Sequence, residues 1–125
     1  MPKFVVAPDA VRVALSSVDA GETPEPDTLR MAVLHLLHAL ARQAPGRAVE
    51  VRVPPYGAVQ CDPRTNSHGP HHRRGTPPNV VETDPLTWVL LATGRLDWDD
   101  ARAAGRLSSS GARADISGAV SQVWR

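Results

Sequence analysis

The side chains best suited to chemistry are concentrated in one polar segment, residues 62–78, which directly follows the single cysteine, Cys61. The segment contains no Ala, Val, Leu, Ile, Met or aromatic residue, so none of its side chains can anchor it in a hydrophobic core. Connections of this length without regular structure are functional loops or disordered segments, and the sequence leaves both interpretations open. Its candidate ligand-binding groups are His71, His72, Arg73, Arg74 and Thr76.

This polar segment has three interpretations: a zinc site, a site for an anionic group, and a solvated loop without a ligand. Cys61, Asp62 and His68 join the two later histidines as potential zinc ligands, but a segment rich in Pro and Gly rarely places such groups tetrahedrally. The paired arginines, the histidines and the backbone amides around Gly75 suit a carboxylate or phosphate group. A solvated loop that binds nothing is the interpretation favoured most. We therefore predict no metal site and no cofactor.

The chain shows little that points to catalysis. A pair formed by Cys61 and a later histidine is a weak signal, because any chain with one Cys and five His contains such a pair. His35 and His38 share one face of a predicted helix, but they lie beside Arg42 and lack a nearby carboxylate, which is typical of surface histidines. No phosphate-binding Gly-rich motif is present. The prediction is a non-catalytic protein with no catalytic residues.

Length and charge restrict the remaining classes of protein. At 125 residues the chain is the size of one domain, predicted to span residues 1–125. The 14 basic and 13 acidic residues leave a net charge of +1, so no broad basic surface for nucleic acid is expected. No apolar run is long enough for a signal peptide or a membrane span, and a single cysteine suits a reducing compartment. These features predict a cytoplasmic protein; its oligomeric state stays open, a homodimer included.

Periodicity predicts the elements of the first half. A helix runs from Pro8 to residue 18 and is closed by Gly21. After the prolines at 24 and 26, Asp27 is expected to cap a second helix over residues 28–43. Alternating valines then predict a strand over residues 49–53, with a second strand over residues 56–61.

Periodicity and helix caps also predict the elements that follow the polar segment. A third strand is predicted over residues 79–83, followed by a helix that Asp84 caps and a short helix that Asp97 caps. Residues 107–109 and 112–116 are expected to form a closing β-hairpin, before a last helical turn from Ser117. The order of elements predicts an α+β fold, with a mixed or antiparallel sheet of about five strands covered by helices mainly on one face.

The helix after Asp84 is apolar nearly all round. Leu86, Val89 and Leu90 lie on one face, whereas Trp88 and Leu91 lie on the other, so the helix needs cover on two sides. The face with Trp88 and Leu91 either lines a ligand cavity or packs against other protein. In the second case the partner is the pair of first helices or another subunit. Packing is the favoured interpretation.

The helix leads into a Leu-x-x-Gly-x-Leu turn at Gly94, a second short helix and a Gly-x-Leu strand at Gly105. In this order, these motifs resemble the sterol carrier protein type 2 superfamily. The runs at residues 52–61 and 74–88 are similar to actinobacterial proteins described as a sterol carrier family. Residues 83–95 are also similar to the C-terminal domain of mycothiol-dependent, maleylpyruvate isomerase-like proteins, whose metal-binding histidines lie on a separate domain.

The resemblance implies an apolar tunnel between sheet and helices, which in some relatives takes up lipids, sterols or fatty acyl groups. The expected function is therefore a binding module or carrier for an apolar or amphipathic small molecule. Two alternatives remain: an accessory domain that binds an anionic or thiol-conjugated metabolite through the His/Arg segment, and a protein-interaction module. The residues predicted to contact the apolar ligand are Leu86, Trp88, Leu91, Trp98, Val120 and Trp124.

Overall fold

Five helices and four strands make up the part of the chain described by the computed structural model, which comprises residues 7–63 and 79–124. In chain order they are α1 (Ala7–Asp19), α2 (Pro26–Gln43), β1 (Val49–Val53), β2 (Gly57–Cys61), β3 (Asn79–Thr83), α3 (Pro85–Ala92), α4 (Trp98–Ala103), β4 (Leu107–Ser110) and α5 (Ser117–Val120).

The sheet is mixed and has the strand order β2-β1-β3-β4. The central strands β1 and β3 run parallel, with Val49 opposite Asn79, and the two outer pairs are antiparallel. Along β1 the valines are fully buried, whereas Glu50 and Arg52 point to the other face and form an ion pair of 2.9 Å. This period-two burial places the core on one face of the sheet, and the predicted α+β class with a mixed sheet is confirmed.

The helices pack against one another in the hydrophobic layer over that face of the sheet. Helix α2 packs against both α1 and α3, and its buried side chains include Val33, Leu36 and Leu37. Trp88 of α3 is 1% exposed, and its indole Nε1–H donates to the carbonyl oxygen of Val33 at 3.3 Å. The fully buried indole thus finds a polar partner, as a buried Trp requires.

Side-chain caps begin two of the helices as predicted. The Asp84 carboxylate accepts the N–H of Thr87 at 3.0 Å, and the Asp97 carboxylate accepts the N–H groups of Asp99 and Asp100. The cap predicted at Asp27 is wrong, because α2 already begins at Pro26. Proline at the first helical position has its φ preset for the helix and has no N–H that needs a partner, so the helix starts without a side-chain cap.

The closing hairpin was also predicted wrongly, and the described residues form four strands rather than about five. Residues 112–116 do not pair with β4. Gly111 adopts a φ of 105°, and the N–H groups of Arg113 and Ala114 are bonded to the Asn79 side chain and to the Gly111 carbonyl instead. The chain therefore turns away from the sheet edge and buries Ile116 in the core.

No helix within the described ranges is long and apolar enough to cross a membrane.

The burial of Trp88 yields a stability prediction. Trp88→Ala should lower the free energy of unfolding by about 3–5 kcal/mol, because it removes a large buried side chain and leaves a cavity. Trp88→Phe should cost about 1–2 kcal/mol, since most of the apolar volume stays and one hydrogen bond is lost. Equilibrium urea unfolding measures both values.

The matched control is Val13→Ala on α1, where the side chain is 47% exposed and a change within about 0.5 kcal/mol is expected. Equal losses for Trp88→Ala and Val13→Ala would contradict the buried position of the indole.

Candidate functional site

The candidate site is a cleft between the C-terminal end of α2 and helix α5, with a volume of about 440 Å³. Buried Leu40, Ala44 and Ile116 form its floor. The walls are shorter or polar side chains and one glycine, namely Gln43, Pro63, Asp115, Gly118, Ala119 and Gln122. Its volume lies within the range of about 300–1,000 Å³ that is typical of small-molecule sites.

A second, smaller pocket of about 220 Å³ adjoins the cleft, and the two share Pro63 and Asp115. Ala48 and Val49, at the start of β1, supply its apolar part. Unlike the cleft, the pocket is lined by charged side chains of both signs, which are Asp62, Arg113 and Asp115. The combined groove therefore changes from apolar to charged along its length.

Asn79 positions one wall of this groove. Its side chain is almost fully buried; the amide Nδ2 donates to the Ala48 carbonyl at 2.9 Å, and Oδ1 accepts the N–H of Arg113 at 2.8 Å. One residue thereby links the starts of β1 and β3 to the segment after β4. Because Arg113 is held by its backbone, its side chain remains available to the pocket.

Asp115 is the acidic group at the junction of cleft and pocket. Hydrogen bonds from Ser117, first from its side chain and then from its backbone N–H at 3.1 Å, lower the pKa of the Asp115 carboxyl. Burial opposes these bonds with a smaller effect, and attraction to Arg102, which is weaker still, lowers the pKa of Asp115 further. The groove thus carries a fixed negative charge at neutral pH.

The C-terminal wall of the cleft depends on contacts with α1 and α2. Val123 is buried, and its carbonyl accepts a hydrogen bond of 3.4 Å from Gln43 Nε2. The Trp124 ring lies edge to face with His35, at 6.2 Å between centroids, and the Arg12 guanidinium lies 5.7 Å from the ring centroid. A helix of four residues is not stable alone, so these contacts hold α5 in place.

His35 is the titratable group of this contact. Burial, followed by repulsion from Arg42 and then His38, lowers the pKa of His35 below its ordinary value of 6.5. The neutral imidazole is therefore the form that the folded chain favours next to Trp124.

The six residues predicted to bind an apolar ligand lie mostly in the core. Trp88, Leu91, Trp98 and Val120 are buried, whereas Leu86 and Trp124 are half-buried. None of the six lines the cleft or its adjoining pocket, although Val120 belongs to the helix that walls the cleft. Their contact with a ligand stays a prediction.

The predicted polar groups of the long segment, which are His71, His72, Arg73, Arg74 and Thr76, lie outside the described residues. At its start, Cys61 is fully buried, and burial together with the negative charge of Asp62 raises the pKa of the Cys61 thiol to about 11. A thiol that is protonated at neutral pH is a poor nucleophile. Within residues 7–63 and 79–124 no three His, Cys, Asp or Glu side chains are grouped to hold a metal ion.

Another cleft, of about 390 Å³, lies between the end of β3 and the start of β4. Hydrogen bonds connect three of its polar residues: Thr83 Oγ1 donates to the Arg106 carbonyl at 2.7 Å, and Arg106 Nε donates to Thr87, which is itself bonded to Asp84. These bonds fasten α3 to β4, and we assign the cleft a structural role.

Sequence patterns did not identify the residues that build the groove. Asn79 was recognised only as the start of a strand, and Arg113 and Asp115 as members of a hairpin arm. Gln43 and Gln122 carried no signal, because the end of α2 and the C-terminal segment meet only in the folded chain.

Comparison with known proteins gives one family match. A family model described as "Bacterial SCP ortholog" matches residues 25–121, which is more than half of the chain. Among curated proteins, none matches the chain. The matched range starts just before α2 and ends just after α5, so it contains the complete sheet and most of the cleft lining.

The position of Asn79 leads to a prediction. Asn79→Ala should lower the free energy of unfolding by about 2–4 kcal/mol, because it leaves a buried carbonyl and a backbone N–H without partners. Hydrogen exchange at the Arg113 amide should become faster. Ser108→Ala, at an exposed position on β4, is the control and should change neither value. Unchanged exchange at Arg113 in Asn79→Ala would refute the role assigned to Asn79.

The lowered pKa of His35 leads to a prediction about pH. The unfolded chain binds the imidazole proton more readily than the folded chain, so stability is full above pH 6.5 and declines as the pH falls through the folded pKa. His35→Gln should therefore lose less stability than the wild type between about pH 7.5 and 5. Urea unfolding at several pH values measures this difference.

Ser16→Ala on α1 is the control for that experiment, since it changes an exposed side chain that does not titrate and is not among the causes of the lowered pKa of His35. It should follow the wild-type pH dependence closely. Parallel curves for the wild type and His35→Gln would show that His35 titrates alike in the folded and unfolded chains, contrary to the expectation.

Proposed function

The chain belongs to the bacterial SCP ortholog family, and from this we propose that it is a non-catalytic binding module, or carrier, for an apolar or amphipathic small molecule. SCP stands for sterol carrier protein, so membership supports a role of the lipid-carrier type. A sterol-like or other lipid molecule is the ligand class that this role implies.

The cleft between α2 and α5 is the observation that carries the proposal. Its floor is apolar and includes Leu40 and Ile116, while amide side chains at Gln43 and Gln122 border it. A concave apolar surface with a few polar groups at its border is the usual form of a small-molecule site. Burial of an alkyl chain against this floor supplies roughly 25 cal/mol for each Å² of apolar surface removed from water.

The chemistry of the described residues favours binding over catalysis. The Cys61 thiol is neutral at physiological pH and buried, and the Asp84 carboxylate is occupied as a helix cap. Asp115 in the groove is an ionised acceptor of hydrogen bonds from Ser117. Within residues 7–63 and 79–124, none of these three groups has the partner that would activate it as a nucleophile or a general acid. A cytoplasmic location and any metabolite binding through the segment after Pro63 remain predictions.

Gly118 offers a direct test of the cleft. A Cβ added at this position meets no atom within 4 Å, so a larger residue can be introduced without a clash at its base. Gly118→Trp should fill the cleft and reduce binding of the neutral apolar dye Nile red at least tenfold, measured by fluorescence titration. Thermal unfolding of the same variant verifies that the fold is retained.

Gly118→Ala is the matched control. It adds only a methyl group, should preserve dye binding, and should stabilise the short helix by about 0.4–1 kcal/mol through the lower backbone entropy of the unfolded chain. A wild-type protein that does not bind the dye, or a Gly118→Trp variant that binds it equally well, would speak against ligand binding in this cleft.

A further inference from the structure

We propose that the charged pocket beside the cleft is a head-group subsite that selects zwitterionic amphiphiles. Arg113 would face the anionic part of the head group and Asp115 its cationic part, while the apolar chain lies in the cleft. This inference rests on the proposed function, because the subsite is an extension of that cleft.

The contact between the two spaces sets the orientation of the ligand. Pro63 and Asp115 line both the cleft and the pocket, so the two spaces adjoin at these residues. The cleft floor is apolar, whereas formal charges are concentrated in the pocket. An elongated amphiphile therefore has one favourable direction, with its chain over Ile116 and its head group beside Ala48.

The two opposite charges are held by different parts of the structure. The segment that carries Arg113 is fixed through its backbone N–H to Asn79, and the Asp115 carboxylate is fixed by Ser117. Neither side chain takes part in the ion pairs formed among the described residues. Since they do not neutralise one another in a salt bridge, both charges are available to a ligand.

This arrangement disfavours a head group of one sign. An anion attracted by Arg113 is repelled by Asp115, and a cation attracted by Asp115 is repelled by Arg113. A head group with both charges makes two favourable contacts, each worth about a fivefold change in affinity at an exposed site where charges approach to about 4 Å.

Two other charges lie near this pair. Asp62 lines the same pocket but has an interaction of its own, and Arg102 lies close enough to Asp115 to affect its titration. We assign the preference for a zwitterion to Arg113 and Asp115, whose effects the single variants below separate from that of Asp62.

The test compares three probes that share a twelve-carbon chain: dodecylphosphocholine, dodecanoate and dodecyltrimethylammonium. Isothermal titration calorimetry below their critical micelle concentrations should show the zwitterion binding at least about fivefold more tightly than either singly charged probe, which lacks one favourable contact and meets one repulsive charge. Arg113→Gln and Asp115→Asn should each weaken zwitterion binding about fivefold. Arg113→Gln should favour the cationic probe, and Asp115→Asn the anionic one.

Charge-matched controls are Arg30→Gln on α2 and Asp99→Asn on α4, both exposed and outside the groove. They should leave all three affinities unchanged. Equal affinities for the three probes in the wild type, or identical effects of the groove variants and their controls, would overturn the head-group subsite.

Failure of the subsite is distinguishable from failure of the proposed function. If the three probes bind equally and Gly118→Trp still abolishes their binding, the cleft binds ligands and only the head-group selectivity is wrong. If neither the probes nor Nile red bind to the wild type, both proposals are refuted.

Discussion

The buried side chain of Asn79 is the constraint on which the layout of the groove depends. Its amide and carbonyl groups bond to Ala48 at the start of β1 and to Arg113 after β4. Because unpaired polar groups are costly inside a protein, this pair of bonds holds residues 111–116 across the start of the sheet instead of along its edge. Asp115 and Ile116, and then the C-terminal helix, take their positions from that crossing.

The C-terminal wall of the cleft has no stability of its own. Helix α5 contains four residues, fewer than an isolated helix needs, so its position comes from the burial of Val120 and Val123 and from the contact of Trp124 with α1 and α2. The core of α2 and α3, centred on Trp88, provides the rigid surface against which this wall is placed. Apolar packing thus builds the scaffold, and a short segment at the periphery completes the site.

The titratable groups of the interior and of the groove differ in their charge states. The Cys61 thiol, buried at the end of β2, is kept neutral by its surroundings, whereas Asp115 at the surface is kept ionised by hydrogen bonds. Neutral groups inside and fixed charges at the border are what a binding site for an amphiphile requires, because the charges orient a head group while the floor accepts an apolar chain. The family relationship and the geometry of the groove support the same class of function from independent directions.

The sequence by itself determined the elements whose signals lie within a few residues. Alternating valines predicted β1, and Asp84 predicted the start of α3. Local signals gave a wrong prediction at Asp27, because Pro26 already begins the helix, and at residues 112–116, where the predicted hairpin arm does not pair. Only the tertiary structure decided that α2 and the C-terminal segment enclose a cleft. The physical reason is that periodicity and capping act between near neighbours, whereas the bonds of Asn79 join residues far apart in the chain.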